Sequence, residues 1–153
     1  MVLISLPSIL PDRILNRDLE IYSIAVSKWI NYNERLRYSD LPLRLKKHKN
    51  ETSFLDRFKV VNGNGISHTL VAHIGRDGHY FNYPELNNPR SISVWEAARI
   101  QSFSDDYFFE GGRTSSFKQI GNAVPPLMSF KIANTIKSLI WVRKLPKQIK
   151  KYL

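Results

Sequence analysis

The chain has 153 residues, no cysteine and a formal net charge of +10. This length suits one domain, and a composition of 42% hydrophobic and 24% charged residues allows a buried core, which argues against a disordered tail. The lack of cysteine excludes disulfides, thiolate zinc sites and cysteine nucleophiles from this sequence. The sequence has no apolar run long enough for a membrane helix and no basic start typical of a signal peptide, so we expect a cytoplasmic protein.

The first predicted element is a helix from Asp12 to about Arg37. Its apolar residues recur at helical spacing, and they are Ile14, Leu15, Leu19, Tyr22, Val26, Trp29 and Ile30. Trp29 lies on this stripe, where a tryptophan is more often part of the core than a base-stacking residue. The proline-punctuated residues 1–11 are predicted to pack as an arm or an edge.

A basic stretch follows this helix, with only Glu51 and Asp56 as acids among its cations. The cations are Arg44, Lys46, Lys47, Lys49, Arg57 and Lys59. Clustered lysines and arginines release counterions from phosphates, which favours a nucleic-acid partner over a merely soluble surface. Phe54, Leu55 and Phe58 are interleaved with these cations. This pattern favours either a nucleic-acid surface or an element with its apolar face inward.

Residues 66–74 alternate between apolar and polar, which is typical of a half-buried strand. Asp77-Gly78 is a two-residue hairpin signal, and residues 79–83 would form the return strand. The resulting antiparallel hairpin would set Ile74 opposite Phe81. Three histidines lie nearby, and they are His68, His73 and His79. No metal site is predicted there, because the sequence has neither cysteine nor the helical His-Glu-x-x-His spacing.

A capping box predicts a short helix after residue 92. Ser93 and Glu96 have the required spacing, in which each side chain accepts a hydrogen bond from the other residue's backbone N–H. Residues 97–101 favour a helix. Asp105-Asp106 then predicts a turn.

Glycine and proline pairs punctuate the rest of the chain. Gly111-Gly112 predicts a loop and Gly121-Asn122 a turn. Pro126 suits the first turn of a closing helix that would run to about Val142. Two helices would thus flank a glycine-punctuated loop. The apolar stripe of the closing helix is too broad for this small chain to cover, so an exposed apolar patch is predicted.

Residues 90–126 resemble the last two motifs of the DNA (cytosine-5) methyltransferases. The residues that match the ninth motif are Arg90, Glu96, Ala98, Arg99, Gln101, Phe103, Asp105 and Tyr107. Those that match the tenth motif are Gln119, Gly121, Asn122, Val124, Pro125 and Pro126. So many matches in order and at the right spacing are specific. The departures are Ser93 for threonine, Trp95 for arginine and Ser104 for proline. Residues 44–83 also resemble the end of this family's target-recognition region.

This resemblance implies an α+β fold. It would be the C-terminal part of a class I, Rossmann-like methyltransferase, with an N-terminal helix, a small antiparallel sheet and two C-terminal helices. Residues 1–88 would form part of the target-recognition domain, and residues 89–153 would pack the two motifs against a catalytic domain. The family's Pro-Cys nucleophile, Glu-Asn-Val motif and glycine-rich S-adenosylmethionine loop do not occur in this sequence. A complementary catalytic chain is therefore expected as a partner.

The resemblance also implies roles for single residues. Asn122 and Ala123 would contact S-adenosylmethionine through a side-chain amide and a free backbone N–H, once a partner completes the pocket. The alternative for Asn122 is a turn asparagine that caps its own loop. The structural residues of the motifs would be Arg90, Glu96, Arg99, Gln119 and Gly121. The basic stretch would contact phosphates of double-stranded DNA.

No catalytic residue is expected within this sequence. The chain would be a small subunit or fragment of a methyltransferase of a restriction-modification system, acting in the nucleoid. The alternative is a non-catalytic DNA-binding module, or a relic of such an enzyme.

Overall fold

The computed structural model describes residues 16–47, 57–75 and 81–144, with side chains as far as residue 140. Its α-helices are α1 (Asn16–Tyr32), α2 (Val94–Ile100), α3 (Arg113–Asn122) and α4 (Pro126–Lys144). Its strands are β1 (Lys59–Val60) and β2 (Phe81–Asn82), and short 3-10 helices span Tyr38–Asp40, Leu43–Leu45 and Ala72–Gly75. The described chain is therefore α+β, as predicted.

Helix α1 lies within the predicted N-terminal helix but ends earlier, at Tyr32. Asn33 has a φ of 54°, and this left-handed conformation stops the helix. Val26 is buried as predicted, and Trp29 packs, partly buried, against the same cluster. Ile30 is exposed, so the buried stripe is narrower than the sequence indicates. The predicted start at residues 12–15 lies outside the described residues.

Two hydrophobic clusters form the core, and the β1–β2 pair connects them. The N-terminal cluster consists of Ile21, Ala25, Val26, Leu36, Tyr38, Leu41, Leu45, Phe58 and Val60. The C-terminal cluster consists of Leu70, Ile74, Phe81, Ile92, Val94, Ala97, Ala98, Phe109, Phe117 and Ile120. Since β1 contributes Val60 to the first cluster and β2 contributes Phe81 to the second, the strand pair joins the two halves of the core.

The two strands are parallel, so the predicted antiparallel hairpin is wrong; Lys59 lies opposite Phe81. Residues 72–75 form a 3-10 helix in place of the outgoing strand, and Ile66, expected on the buried face, is 94% exposed. Leu70 and Ile74 have a spacing that also suits one helical face, and both are buried in the C-terminal cluster. Packing thus overrides the strand-like alternation. The predicted turn at residues 77–78 lies outside the described residues.

Residues 81–144 contain three α-helices rather than the two that the sequence predicts. Helix α2 begins at the predicted capping box, which confirms that element. Helix α3 continues through Gly121 and Asn122, so the predicted turn there is wrong. Phe117 and Ile120 of α3 are buried, and this packing outweighs the weak helix propensity of glycine and asparagine.

Helix α4 begins at Pro126, as predicted, and every side chain from residue 126 to residue 140 is exposed. Its large apolar side chains are Leu127, Met128, Phe130, Ile132, Ile136, Leu139 and Ile140. The predicted exposed apolar patch is therefore confirmed. The Leu127 N–H donates to the Ser102 Oγ at 3.2 Å, which anchors the first turn of α4 just after α2. None of the described helices has the length and apolar character to cross a membrane.

Candidate functional site

An ion pair braces the start of α2. The guanidinium of Arg90 donates to both carboxylate oxygens of Glu96 at 2.8 Å and lies 3.9 Å above the ring centroid of Tyr83. The Ser93 N–H donates to Glu96 Oε2 at 2.7 Å, and the Glu96 N–H donates back to Ser93 Oγ at 3.2 Å. Burial raises the pKa of Glu96, but the hydrogen bonds from Arg90 and Ser93 outweigh it and hold that pKa below its ordinary value. The Glu96 carboxylate is thus stabilised in its charged form, which suits a structural role better than proton donation.

Two glutamines connect segments that are distant in sequence. The buried Gln101 amide donates to the backbone oxygens of Leu70 at 3.4 Å and Ile120 at 3.3 Å, and so ties α2 to α3 and to the segment before residue 72. Gln119 on α3 donates to the Glu110 backbone oxygen at 2.7 Å. These contacts hold the loop between α2 and α3 against the body of α3.

A second ion pair closes the turn after α2. The Arg99 Nε donates to Asp105 Oδ1 at 2.7 Å, and its Nη2 donates to Asp105 Oδ2 at 2.9 Å. Both side chains are exposed, and the Arg99 hydrogen bond is the main cause that lowers the pKa of Asp105. The backbone oxygen of Ser104, where the family has proline, accepts from the Tyr107 N–H at 3.1 Å, so the turn forms without proline.

A groove of about 500 Å³ lies between the 3-10 helix Ala72–Gly75 and α3. The residues that line it are Ala72, His73, Gly75, Thr114, Lys118 and Asn122. Its two walls are in close contact. A Cβ on Gly75 would lie 3.2 Å from the Thr114 backbone oxygen, and one on Gly121 would lie 2.6 Å from the Val71 backbone oxygen. Both glycines therefore permit the short distance between the walls.

The two residues predicted to contact the cofactor lie at the end of α3. Asn122 is the last residue of that helix, and its exposed side chain lines the groove. The Ala123 N–H donates to the Ile120 backbone oxygen at 3.2 Å, so the expectation of a free N–H at Ala123 is wrong. The cause is the extension of α3 into the tenth motif, because Ala123 thereby becomes the C-cap of the helix.

The predicted DNA-binding cations differ from one another in their contacts and in their exposure to solvent. Arg44 pairs with Glu20, through Nη1 to Oε2 at 2.6 Å and through Nη2 to Oε1. The Arg57 guanidinium lies 5.3 Å from the ring centroid of Tyr38 and is half-buried. Among the other cations of the basic stretch, Lys47 is exposed, Lys46 and Lys59 are half-buried, and Lys49 lies outside the described residues.

A family model for the C-5 cytosine-specific DNA methylases matches residues 12–138 of this chain. The chain belongs to that family. The match begins well before the two motifs, and it therefore includes the α1 region of this methylase chain as well.

Several curated relatives of this methylase chain are type II methyltransferases. M.Bpa9945I of Bacillus paralicheniformis is 54% identical over 127 residues, which cover 83% of this chain and 28% of the relative. M.AgeI of Thalassovita gelatinovora is 41% identical over 65% of this chain and 23% of the relative. DNA (cytosine-5)-methyltransferase 2 of Arabidopsis thaliana is 32% identical over 83% of this chain and 8% of the relative. The chain thus spans less than a third of each. No solved structure matches it.

Sequence reasoning about this methylase chain missed most of the groove. It identified Asn122 through the tenth motif, but it gave no role to Thr114 or Lys118, and it considered His73 only as a candidate metal ligand. The signal for Lys118 was present, because this lysine lies within the tenth-motif region beside Gln119. Its proximity to His73 depends on the contact between α3 and the 3-10 helix, which no local pattern reveals.

Proposed function

We propose that this chain supplies the C-terminal part of a DNA (cytosine-5) methyltransferase of a type II restriction-modification system. A complementary polypeptide would carry the Pro-Cys nucleophile. One observation carries the proposal: the chain is 54% identical to M.Bpa9945I over 28% of that enzyme's length, yet its 153 residues contain no cysteine. A family whose chemistry uses a cysteine nucleophile needs that residue from outside these 153 residues.

The exposed face of α4 supports the need for a catalytic partner. In the family resemblance, this helix packs back onto the catalytic domain. Burial of a leucine, isoleucine or phenylalanine side chain is worth roughly 1.5–3 kcal/mol. The exposed apolar side chains of α4, such as Phe130 and Leu139, therefore give the partner a strong hydrophobic contact. The Leu127–Ser102 hydrogen bond would keep this helix in place beside the ninth motif.

The cofactor proposed for the assembled enzyme is S-adenosylmethionine. Asn122 fits a place at its pocket, because the exposed amide offers both a donor and an acceptor at the mouth of the groove. Ala123 would contact the cofactor through its side chain, because its N–H already donates to the Ile120 backbone oxygen. The cofactor would supply the methyl group, and the rest of its pocket would come from the partner.

The substrate proposed is double-stranded DNA. The net charge of +10 favours binding to phosphates, which positions a protein on the duplex. Within the basic stretch, Lys47 is exposed and suits such a contact, whereas Arg44 would have to exchange its Glu20 partner for a phosphate. Lys46, Lys49, Arg57 and Lys59 complete the proposed set.

A chimaera tests the proposal directly. The segment of M.Bpa9945I that aligns with this chain is replaced by the 127 aligned residues of this chain, and methyl transfer from radiolabelled S-adenosylmethionine to duplex DNA is measured. The same enzyme with the segment deleted is the control. We expect activity in the chimaera and none in the deletion variant. A folded but inactive chimaera would contradict the proposal.

A second candidate is a non-catalytic DNA-binding module or a relic of such an enzyme. The observations that favour it are the net charge of +10 and the departures from the ninth motif at Trp95 and Ser104. It predicts salt-sensitive duplex binding by the chain alone, together with an inactive chimaera. Lack of duplex binding at low salt would remove this candidate.

A further inference from the structure

The groove between the 3-10 helix Ala72–Gly75 and α3 has the chemistry of an anion site. Its polar side chains are those of His73, Thr114, Lys118 and Asn122, and no carboxylate is among the lining residues. All four are exposed, so a ligand can enter from solvent. They offer an ammonium, a hydroxyl, an imidazole and an amide, each of which can donate a hydrogen bond to an oxygen.

Lys118 differs from the structural cations of this chain. Lys28, Arg44, Arg90 and Arg99 each pair with a carboxylate. Lys118 forms no ion pair within residues 16–47, 57–75 and 81–140. It lies in the groove beside other hydrogen-bond donors. Its charge is thus available to a ligand.

The walls of the groove are held in place by contacts that do not involve its polar side chains. The Gln101 amide bonds to Leu70 and Ile120, one on each side of the interface. The backbone beside Gly75 packs on that of Thr114 and Lys118, with 3.3 Å from an added Cβ to the Lys118 nitrogen. A site on such fixed elements loses little conformational freedom when a ligand binds.

We propose that this groove binds a phosphodiester group of duplex DNA, with Lys118 as the cation and Thr114 as a hydroxyl donor. The inference rests on the proposed function in that DNA is the substrate. An anionic oxygen here could also belong to the cofactor's carboxylate. Thr114 lies in the first turn of α3, where the helix dipole stabilises a negative charge, and Asn122 lies at the C-terminal end of the same helix. An anion is therefore favoured at the end of the groove away from Asn122, the residue proposed to contact the cofactor, which favours DNA phosphate as its source.

Duplex binding by the full chain, measured against salt concentration, tests the assignment. Wild type is compared with Lys118→Ala and with Lys131→Ala, which removes another exposed lysine, from α4. We expect Lys118→Ala to lower the slope of log K against log salt by about 1 and to weaken binding several-fold, equally for different DNA sequences. Thr114→Val should cause a smaller loss. Lys131→Ala should change the affinity for the duplex less than about twofold, because salt screens most of the attraction between a distant charge and the DNA.

Two results would overturn the inference: equal effects of Lys118→Ala and Lys131→Ala, or no duplex binding by the wild-type chain. The active chimaera separates the two sources of the anion. In that enzyme Lys118→Ala should raise the KM for DNA and leave the KM for S-adenosylmethionine unchanged. A rise confined to the KM for the cofactor would assign the groove to its carboxylate, and the proposed function would stand while this inference failed.

Discussion

Helices α3 and α4 follow one another in the chain and pack in opposite ways. The shorter helix, α3, contains glycine, serine, threonine and asparagine, yet it buries Phe117 and Ile120 and carries one wall of the groove. The longer helix, α4, is rich in leucine, isoleucine and phenylalanine, yet all of its described side chains are exposed. Apolar composition therefore does not by itself indicate which helix belongs to the core of this chain. In α4, apolar composition combined with exposure instead indicates a helix face that can pack against another polypeptide surface.

The largest difference in stability between α3 and α4 is expected when one phenylalanine of each helix is replaced by alanine. Phe117 is 1% exposed, so Phe117→Ala should lower the free energy of unfolding by about 3–5 kcal/mol. Phe130 is 64% exposed, so Phe130→Ala should change it by less than about 0.5 kcal/mol. Urea denaturation followed by circular dichroism measures both, and Phe117→Leu provides a milder variant if the alanine variant does not fold. Equal losses at the two sites would mean that α4 is packed in solution.

Two glycines of the α3 region give the next largest difference. A Cβ at Gly121 would lie 2.6 Å from the Val71 backbone oxygen, so Gly121→Ala should cost about 1–3 kcal/mol of stability. Gly112 has nothing within 4 Å of an added Cβ and a φ of −79°, so Gly112→Ala should cost only about 0.5 kcal/mol, because alanine is a poorer N-cap than glycine. Thermal unfolding of the two variants makes the comparison. A harmless Gly121→Ala would mean that the wall formed by residues 71–75 does not lie against α3.

The Arg90–Glu96 pair should give a smaller, pH-dependent effect. Glu96→Gln removes a charge-assisted pair and should cost about 1 kcal/mol at neutral pH. The pKa of Glu96 in the folded protein lies below its ordinary value of 4.5. The stability that its carboxylate provides is therefore present above pH 4.5 and is lost as the pH falls through the folded-state pKa. Urea midpoints of both proteins across the acid range should converge at low pH, and a constant difference would contradict this assignment.

The exposed face of α4 should give the smallest change in stability. Ile136→Ser combined with Leu139→Ser should leave the melting temperature nearly unchanged, because both side chains are about half exposed or more. The same variant should bind less of a hydrophobic dye and associate less at high concentration, as measured by fluorescence and light scattering. An unchanged dye signal would show that another surface accounts for the binding.

Local signals predicted the start of α2 and the start of α4. The capping box of Ser93 and Glu96 and the proline at position 126 each act within one helical turn, so their effect can be seen in the sequence. The motifs likewise identified the family, because they combine many residues at fixed spacing.

Tertiary contacts account for what the sequence did not predict. Gly121-Asn122 is a turn signal, but in α3 that glycine allows close contact with Val71. Residues 66–74 alternate like a strand, but Leu70 and Ile74 are buried together from a non-strand conformation. Lys118 and His73 are far apart in sequence, so the groove appears only when these two segments meet. Each of these misses follows from one interface, that between α3 and residues 70–75.

We propose that these 153 residues act in DNA methylation only together with a separate catalytic segment that carries the cysteine nucleophile. The most direct measurement mixes the intact chain with the part of M.Bpa9945I outside the matched segment, supplied as a separate polypeptide, and follows methyl transfer to duplex DNA. Each component alone is the control. The account predicts transfer in the mixture and none by either component, with loss of activity when Ile136 and Leu139 are replaced by serine. Methyl transfer by this chain alone, or by the other component at the rate of the mixture, would contradict it.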